Sequence, residues 1–267
     1  MFSINIEDKI AHLVLNNPDK ANAMNKSFWE ELPKRMQDLD QDSNCRVIVV
    51  SGQGKHFSAG IDLEMIAQIQ QMMMSKEDAG RVREKLRLWI LGLQDAFNAI
   101  ERCRKPVIAM IHGACIGGAI DLISACDMRY ATADARFCVK EIDLAIVADV
   151  GTLQRLPRII PEGIARELAY TARTISGKEA LQIGLINQCF DTYEDLQVGV
   201  QNVAKCIAQK SPLAIRGTKE ILNYTRDHSI TDSLNYVATW NAAMLFSKDT
   251  VEANLASMQK RLPDFLD

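Results

Sequence analysis

The chain has 267 residues, of which 48% are apolar and 24% charged, with a formal net charge of −3. These values are typical of one large globular domain, or of one domain with a small appendage, and the negative charge argues against a nucleic-acid partner. Seven cysteines, mostly within apolar runs, indicate reduced thiols. The four histidines show no metal-ligand spacing, so no metal site is expected.

The two ends of the chain carry no evident targeting signal. MFSINIEDKI lacks the apolar core of a signal peptide, and LPDFLD does not match a peroxisomal address. No apolar run approaches the ~20 residues that cross a bilayer, so no membrane association is expected. We therefore expect a cytoplasmic protein, and a processed organellar protein is the alternative.

The first third of the chain predicts strands followed by helices. Residues 2–6 and 10–15 alternate between apolar and polar types around a charged turn, which predicts a hairpin. Asn25 is a candidate N-cap for a helix that runs to about residue 39. Residues 45–51 form a nearly continuous apolar run, as in the centre of a parallel sheet.

A methionine-rich segment and a long amphipathic helix follow. The methionines of residues 65–74 predict either a pliable apolar pocket or, as we favour, a helix that packs on the core. Residues 81–100 predict a helix whose apolar face carries Leu86, Trp89, Leu93, Phe97 and Ile100.

The segment at residues 107–125 predicts a strand, a glycine turn and a helix. Residues 107–111 are apolar and rich in β-branched types, and Gly117 and Gly118 precede a second apolar run that contains Asp121. A helix that begins at the glycines leaves its first N–H groups free to bind negative charge. Glycines that serve only tight packing are the equally weighted alternative. The spacing does not match a nucleotide-binding fingerprint.

The last third predicts helices alone. Ser176 with Glu179 forms a capping box, and Ser211 with Pro212 marks another helix start. The predicted helices cover residues 193–209, 212–226, 230–247 and 250–258. We therefore divide the chain into a core of alternating strands and helices, residues 1–192, and a helical C-terminal region, residues 193–267.

Several motifs together resemble one known family. They are LNNPDKANAMN, HFSAGIDL, HGACIGGAIDL, ACDMRYA and ADVGTLQRLPR. In this order they resemble the crotonase family (enoyl-CoA hydratase/isomerase) over nearly the whole chain. Two further segments look like its dienoyl-CoA isomerase branch: TRDHSITDSLNYVATWN and VKEIDLAIVADVGTLQRLPR.

The resemblance implies an α/β fold built as a spiral of ββα units, with a helical C-terminal region that forms trimers or pairs of trimers. It also implies an acyl-CoA thioester substrate and no separate cofactor, because coenzyme A is part of the substrate. The main-chain N–H groups of Ile61 and Gly118 would hold the thioester oxygen. The turn Ser58, Ala59, Gly60 and Asp62 would bind coenzyme A, with the Ala59 carbonyl at the adenine.

The basic residue that reaches the coenzyme A phosphate in the family corresponds to Lys260, often from a neighbouring subunit. A solvated surface lysine is the equally weighted alternative. Asp62 also fits a cap for the helix that follows it.

Three acids carry the implied chemistry. Asp149 would remove a proton next to the thioester, Glu141 would return one at the far end of the conjugated system, and Asp121 would be an auxiliary polar group. The implied reaction converts 3,5-dienoyl-CoA to 2,4-dienoyl-CoA within fatty acid β-oxidation. Water addition to a 2-enoyl-CoA is the alternative activity, although the family's hydratases carry a glutamate at the position of Asp121.

Other interpretations remain open at this stage. Without the resemblance, Asp149 is better explained as the N-cap of a helix at residues 152–156. Asp143 is expected to be solvated, and His56 and His112 to pack the turns. A non-catalytic acyl-CoA-binding subunit is the third and least favoured function.

Overall fold

The computed structural model describes residues 1–74 and 77–267, without the side chains of residues 68–70, 72 and 73. Its strands are β1 (Phe2–Glu7), β2 (Ile10–Leu15), β3 (Val47–Gly52), β4 (Val107–Ile111), β5 (Ala114–Ile116), β6 (Met128–Thr132), β7 (Arg136–Cys138), β8 (Ile175–Ser176) and β9 (Gln188–Phe190). Short 3₁₀ helices cover Pro18–Lys20, Glu141–Leu144 and Leu156–Arg158.

The α-helices alternate with these strands and then continue alone. They are α1 (Lys26–Gln41), α2 (Leu63–Met73), α3 (Ala79–Arg102), α4 (Gly118–Ala125), α5 (Thr152–Arg155), α6 (Glu162–Thr171), α7 (Gly177–Gln182), α8 (Tyr193–Ala208), α9 (Pro212–Asp227), α10 (Ile230–Met244) and α11 (Lys248–Gln259).

The strands form two sheets, and the chain passes repeatedly from one to the other. The larger sheet has the order β1-β2-β3-β4-β6-β9, and the smaller has the order β5-β7-β8. Pairing is antiparallel between β1 and β2 and parallel across the rest of the larger sheet. Because β4 and β6 lie in the larger sheet while β5 and β7 pair in the smaller one, strand pairs followed by helices repeat as ββα units. This confirms the predicted mixed α/β class.

Local sequence signals account for the ends of several elements. The Asn25 side chain accepts a hydrogen bond from the Phe28 N–H at 3.0 Å and starts α1, as predicted. Ser176 and Ser211 accept from the N–H groups three residues further on, at 3.2 and 3.1 Å. The N-terminal hairpin is also confirmed.

The larger sheet is covered on both faces, which explains the continuous apolar run in β3. Ile48 and Val50 face a core cluster that includes α1 and α3, whereas Val47 and Val49 face α8. Successive side chains of a strand point to opposite faces, so a strand between two layers needs apolar residues at every position.

The first helix of the predicted C-terminal region packs on this sheet. Leu196, Val200 and Ala204 of α8 are buried against it. The division at residues 192 and 193 stays a prediction, and three further helices follow α8 within the described residues. There, α9 packs against α10, with Gly217 so close to the Trp240 indole that a Cβ would overlap it.

The described methionines of residues 65–74 differ in burial. Met65 is buried in the core, and Met74 is exposed. The side chains of Met72 and Met73 lie outside the described residues. The seven cysteines are free thiols, five of them buried. Among the helices of the described ranges, none combines the length and apolarity needed to cross a membrane.

Candidate active site

Two glycine turns lie side by side because consecutive repeats pair in register. Ser58 forms a parallel bridge with Cys115 of β5. Ile61 lies three residues after Ser58, and Gly118 lies three residues after Cys115. These two positions are therefore equivalent in neighbouring repeats. Gly60, at φ +87°, lies so close that a Cβ there would stand 2.5 Å from the Ile116 carbonyl oxygen and 3.2 Å from the Gly118 nitrogen. Only glycine fits at this position.

The turns present two free main-chain donors. Within the described part of the chain, neither the Ile61 N–H nor the Gly118 N–H donates a backbone hydrogen bond. A Cβ built on Gly118 would lie 3.8 Å from the Ile61 nitrogen, which places the two donors close together. Gly118 is also the first residue of α4, at the positive end of its dipole. Two neighbouring main-chain donors of this kind can stabilise negative charge on one oxygen.

The Ser58–Asp62 turn is shaped by its own polar groups. The buried Ser58 hydroxyl donates to the Asn22 carbonyl at 2.9 Å and accepts from the Gly60 N–H at 3.1 Å. Gly60 accepts from the Met24 N–H at 2.8 Å. Ala59 is the exposed residue of the turn. Ser58 therefore holds the turn, while Ala59 is exposed to solvent.

Asp62 lies at the start of α2 as a helix cap. Its Oδ1 accepts from the Glu64 N–H at 3.0 Å, and its Oδ2 lies 3.6 Å from the Lys20 Nζ. The bond from the Glu64 N–H supports the capping interpretation of this buried acid.

Asp121 is fully buried one turn into α4. Its Oδ1 accepts a 2.5 Å hydrogen bond from the Thr152 N–H, and its Oδ2 has no hydrogen-bond partner among the described residues. Burial, together with the charge of Glu141, raises the pKa of this carboxyl to about 7. Asp121 therefore changes its protonation near neutral pH.

Glu141 lies at the opposite side of the same turn. A Cβ on Gly117, whose φ is +55°, would stand 3.3 Å from the Glu141 Oε1, while Oε2 is buried without a hydrogen-bond partner in the described ranges. Burial raises the pKa of Glu141, and the nearby Asp149 charge adds to this. A buried carboxyl of this kind can carry a proton at neutral pH.

Asp149 lies in an irregular segment between the 3₁₀ helix Glu141–Leu144 and α5. Its side chain is half-buried, and burial raises its pKa. The helix-cap alternative is wrong, because Gly151 is the N-cap of α5 and the Thr152 N–H donates to Asp121. The negative charge of Asp149 raises the pKa values of both other acids, so the three carboxyls share one site.

The remaining candidates lie apart from these acids. Lys260 is an exposed residue at the C-terminal cap of α11, and none of the described hydrogen bonds or ion pairs involves its side chain. Asp143 is exposed and pairs with Lys140 at 2.5 Å. The His112 ring contacts the Gly54 carbonyl at 2.8 Å, and the His56 ring accepts from the Ala114 N–H at 3.2 Å, as residues that pack turns do.

A residue that the sequence analysis did not single out contacts Asp149. The Gln94 side-chain amide on α3 donates to the Asp149 carbonyl oxygen at 2.6 Å. A cavity of about 950 Å³ lies on this side of Asp149, between α3, α5 and α9, and does not reach Ile61 or Gly118. The residues that line this cavity therefore surround Asp149 and not the glycine turns. Among the described residues, no cluster of His, Cys, Asp or Glu has the arrangement of a metal site.

Solved structures share this architecture. An enoyl-CoA hydratase from Bacillus anthracis superimposes with a TM-score of 0.89 at 29% identity, over 99% of this chain and 98% of that chain. This agreement confirms the predicted crotonase-like ββα spiral.

Two similar sequences share a more specific name. A peroxisomal Δ(3,5)-Δ(2,4)-dienoyl-CoA isomerase from Arabidopsis thaliana is 51% identical over 98% of this chain and 94% of its own length. A mitochondrial enzyme of the same name from Mus musculus is 47% identical over 94% of this chain and 77% of its own length. Because these relatives are named for organelles, the predicted cytoplasmic location is wrong.

The family assignment extends over almost every residue. A sequence profile described as enoyl-CoA hydratase/isomerase matches residues 5–267. With the shared fold and the two glycine turns, the chain therefore belongs to the enoyl-CoA hydratase/isomerase family.

Proposed function

We propose that this protein is an isomerase that converts 3,5-dienoyl-CoA to 2,4-dienoyl-CoA during fatty acid β-oxidation. The observation that carries the proposal is a third, half-buried acid, Asp149, whose charge acts on Glu141 and Asp121 beside the glycine turns. The identity of 51% and 47% to relatives named for this reaction supports it.

The proposed reaction moves one proton off the substrate and one proton onto it. Asp149 removes a proton from C2, next to the thioester, and the electrons spread over the conjugated chain as a dienolate. Glu141 then gives a proton to C6, so that the double bonds move from C3 and C5 to C2 and C4. Ionised Asp149 and protonated Glu141 are the starting forms, and burial of Glu141 favours its proton.

In this proposal the Ile61 and Gly118 N–H groups bind the thioester oxygen. Charge grows on that oxygen when the C2 proton leaves, so fixed donors stabilise the transition state more than the bound substrate. One such donor is typically worth about 3 kcal/mol, or on the order of 100-fold in rate. Neither N–H is used within the described fold, so both are free for this role.

The protein is proposed to bind its substrate through the coenzyme A part, and the reaction needs no separate cofactor. The carbonyl of the exposed residue Ala59 would meet the adenine, in a turn that Ser58, Gly60 and Asp62 hold in place. Lys260 of a neighbouring subunit would reach a phosphate. We also propose assembly into a trimer or a pair of trimers, which is supported by exposed apolar residues in the C-terminal region, such as Phe246 between α10 and α11 at 94% exposure.

The direct test is to supply 3,5-dienoyl-CoA and record the conjugated absorbance of 2,4-dienoyl-CoA. The proposal expects turnover by the wild type and turnover at least about 100-fold slower by Asp149→Asn. Absence of product from the wild type would reject it.

Enoyl-CoA hydration is the second candidate, favoured by Glu141 at the glycine turn and by the similarity to the Bacillus anthracis hydratase. The geometry of Asp121 argues against it. One of its oxygens is bound to the Thr152 N–H, and the carboxyl is fully buried. Rapid water addition to a 2-enoyl-CoA that is lost in Asp121→Asn would favour the hydratase.

A further inference from the structure

Helix α3 carries two stripes of side chains with different tasks. Leu93, Phe97 and Ile100 are buried in the core. Each of these three residues is followed directly in sequence by a polar one: Gln94, Asn98 and Glu101. The spacing of four and three residues places these polar side chains on one helix face. This second stripe is polar, and it contacts the segment that carries Asp149.

The far end of that segment is held by Arg155. Its Nη2 donates to Asn98 Oδ1 at 2.6 Å and to Glu101 Oε2 at 2.8 Å. The guanidinium lies directly against Gly151, where a Cβ would overlap it. The α3 stripe therefore fixes the chain just beyond Asp149.

The segment at residues 147–150 has little other main-chain support. Within the described residues, none of its N–H or C=O groups takes part in a backbone–backbone hydrogen bond. Among the described residues, the one hydrogen bond that another residue's side chain makes to its main chain is the 2.6 Å contact from Gln94 to the Asp149 carbonyl. Ala148 and Val150 are buried and anchor the segment by packing. This packing does not fix the rotation of the peptide between Asp149 and Val150, which carries the Asp149 carbonyl.

We propose that Gln94 is a positioning residue for Asp149. By holding the Asp149 carbonyl, its amide sets the direction in which the Asp149 carboxyl leaves the main chain. A carboxyl that is displaced by about 1 Å from the proton it removes can lose on the order of 100-fold in rate. The inference rests on the proposed isomerase function, because it assigns Gln94 a part in the proton removal.

The test compares Gln94→Met with the wild type on 3,5-dienoyl-CoA. Methionine keeps the length and helix preference of glutamine but has no donor. We expect kcat to fall between 10- and 100-fold, KM to change less than about threefold, and the thermal midpoint to stay close to that of the wild type. Gln94→Glu, which places a carboxylate against the carbonyl, should lose at least as much. Gln197→Met, an exposed glutamine on α8, is the matched control.

A second comparison distinguishes positioning from a general loss of structure. Asp149→Glu keeps a base but already moves it by one methylene, so adding Gln94→Met should cost clearly less than it does with Asp149 present. Equal cost in both backgrounds, or kcat of Gln94→Met within twofold of the wild type, would overturn the inference. An inactive wild type would instead reject the isomerase proposal, so the two failures are distinguishable.

Discussion

The Thr152 main-chain N–H donates a 2.5 Å hydrogen bond to Oδ1 of Asp121, across 31 positions of sequence. This bond joins the first turn of α5 to the helix that begins at the glycine turn. One buried carboxyl therefore links the donors at Gly118 to the segment that carries Asp149. The same carboxyl has its pKa raised to about 7, so the link depends on pH.

Asp121 is expected to lower the stability of the fold as pH rises. Its pKa is about 7 in the folded chain and near 3.8 when unfolded, so the folded state holds the proton more tightly. The stability from this proton is complete below about pH 4 and is lost as pH rises through 7. Asp121→Asn keeps the Oδ1 acceptor but does not ionise. Urea unfolding should show it gaining on the order of 2 kcal/mol relative to wild type between pH 5 and pH 8. A constant difference between the two proteins would contradict the buried, titrating carboxyl.

Asp149→Asn should remove the proposed base while leaving the fold intact. General bases typically contribute about 10²- to 10⁴-fold, so kcat with 3,5-dienoyl-CoA should fall by at least about 100-fold. The main chain keeps its hydrogen bond from Gln94, and the thermal midpoint should therefore hardly change. Asp143→Asn is the matched control, because Asp143 is exposed and pairs only with Lys140 at 2.5 Å. Similar losses in both variants would remove Asp149 from the chemistry.

The sequence predicted secondary structure best where one apolar pattern extends over many residues. The hairpin, α1, β3 and β4 follow directly from their apolar patterns and from Asn25 as a cap. β5, β7, β8 and β9 have only two or three residues each, too few to show a period, and pairing with distant strands defines them.

The site was found in a different way from the elements. Ile61, Gly118 and Asp149 are far apart in sequence, and only the resemblance to a family grouped them. The structure adds the physical reason for the first two, which is the register of Ser58 on Cys115. Gln94 escaped notice because a polar residue on an amphipathic helix is normally solvated, and its target is an irregular segment that no pattern locates.

Gly60→Ala should displace the Ser58–Asp62 turn, which presents the Ile61 N–H. The residue has φ +87°, and the new Cβ would stand 2.5 Å from the Ile116 carbonyl oxygen, so the Ile61 N–H must shift. We expect a loss on the order of 100-fold in kcat, the typical value of one such donor. Gly92→Ala is the control, since nothing lies within 4 Å of its Cβ on the exposed face of α3. That change should stabilise the chain by about 0.5–1 kcal/mol and leave kcat unchanged. Full activity of Gly60→Ala would show that the turn tolerates displacement and does not hold the oxygen.

Phe246→Asp should disrupt the proposed assembly. Phe246 is 94% exposed between α10 and α11, and Leu245, Leu262 and Met258 are exposed nearby in sequence, at 57%, 74% and 82%. Such a concentration of large apolar side chains is typical of a surface that another chain covers. A charge there must be desolvated when subunits meet, so sedimentation should show the wild type as a trimer or hexamer and the variant as smaller species. Val198→Asp, on the exposed side of α8 at 62%, tests whether any surface charge has this effect. A wild type that sediments as a monomer, or a variant that assembles normally, would remove the C-terminal helices from the interface.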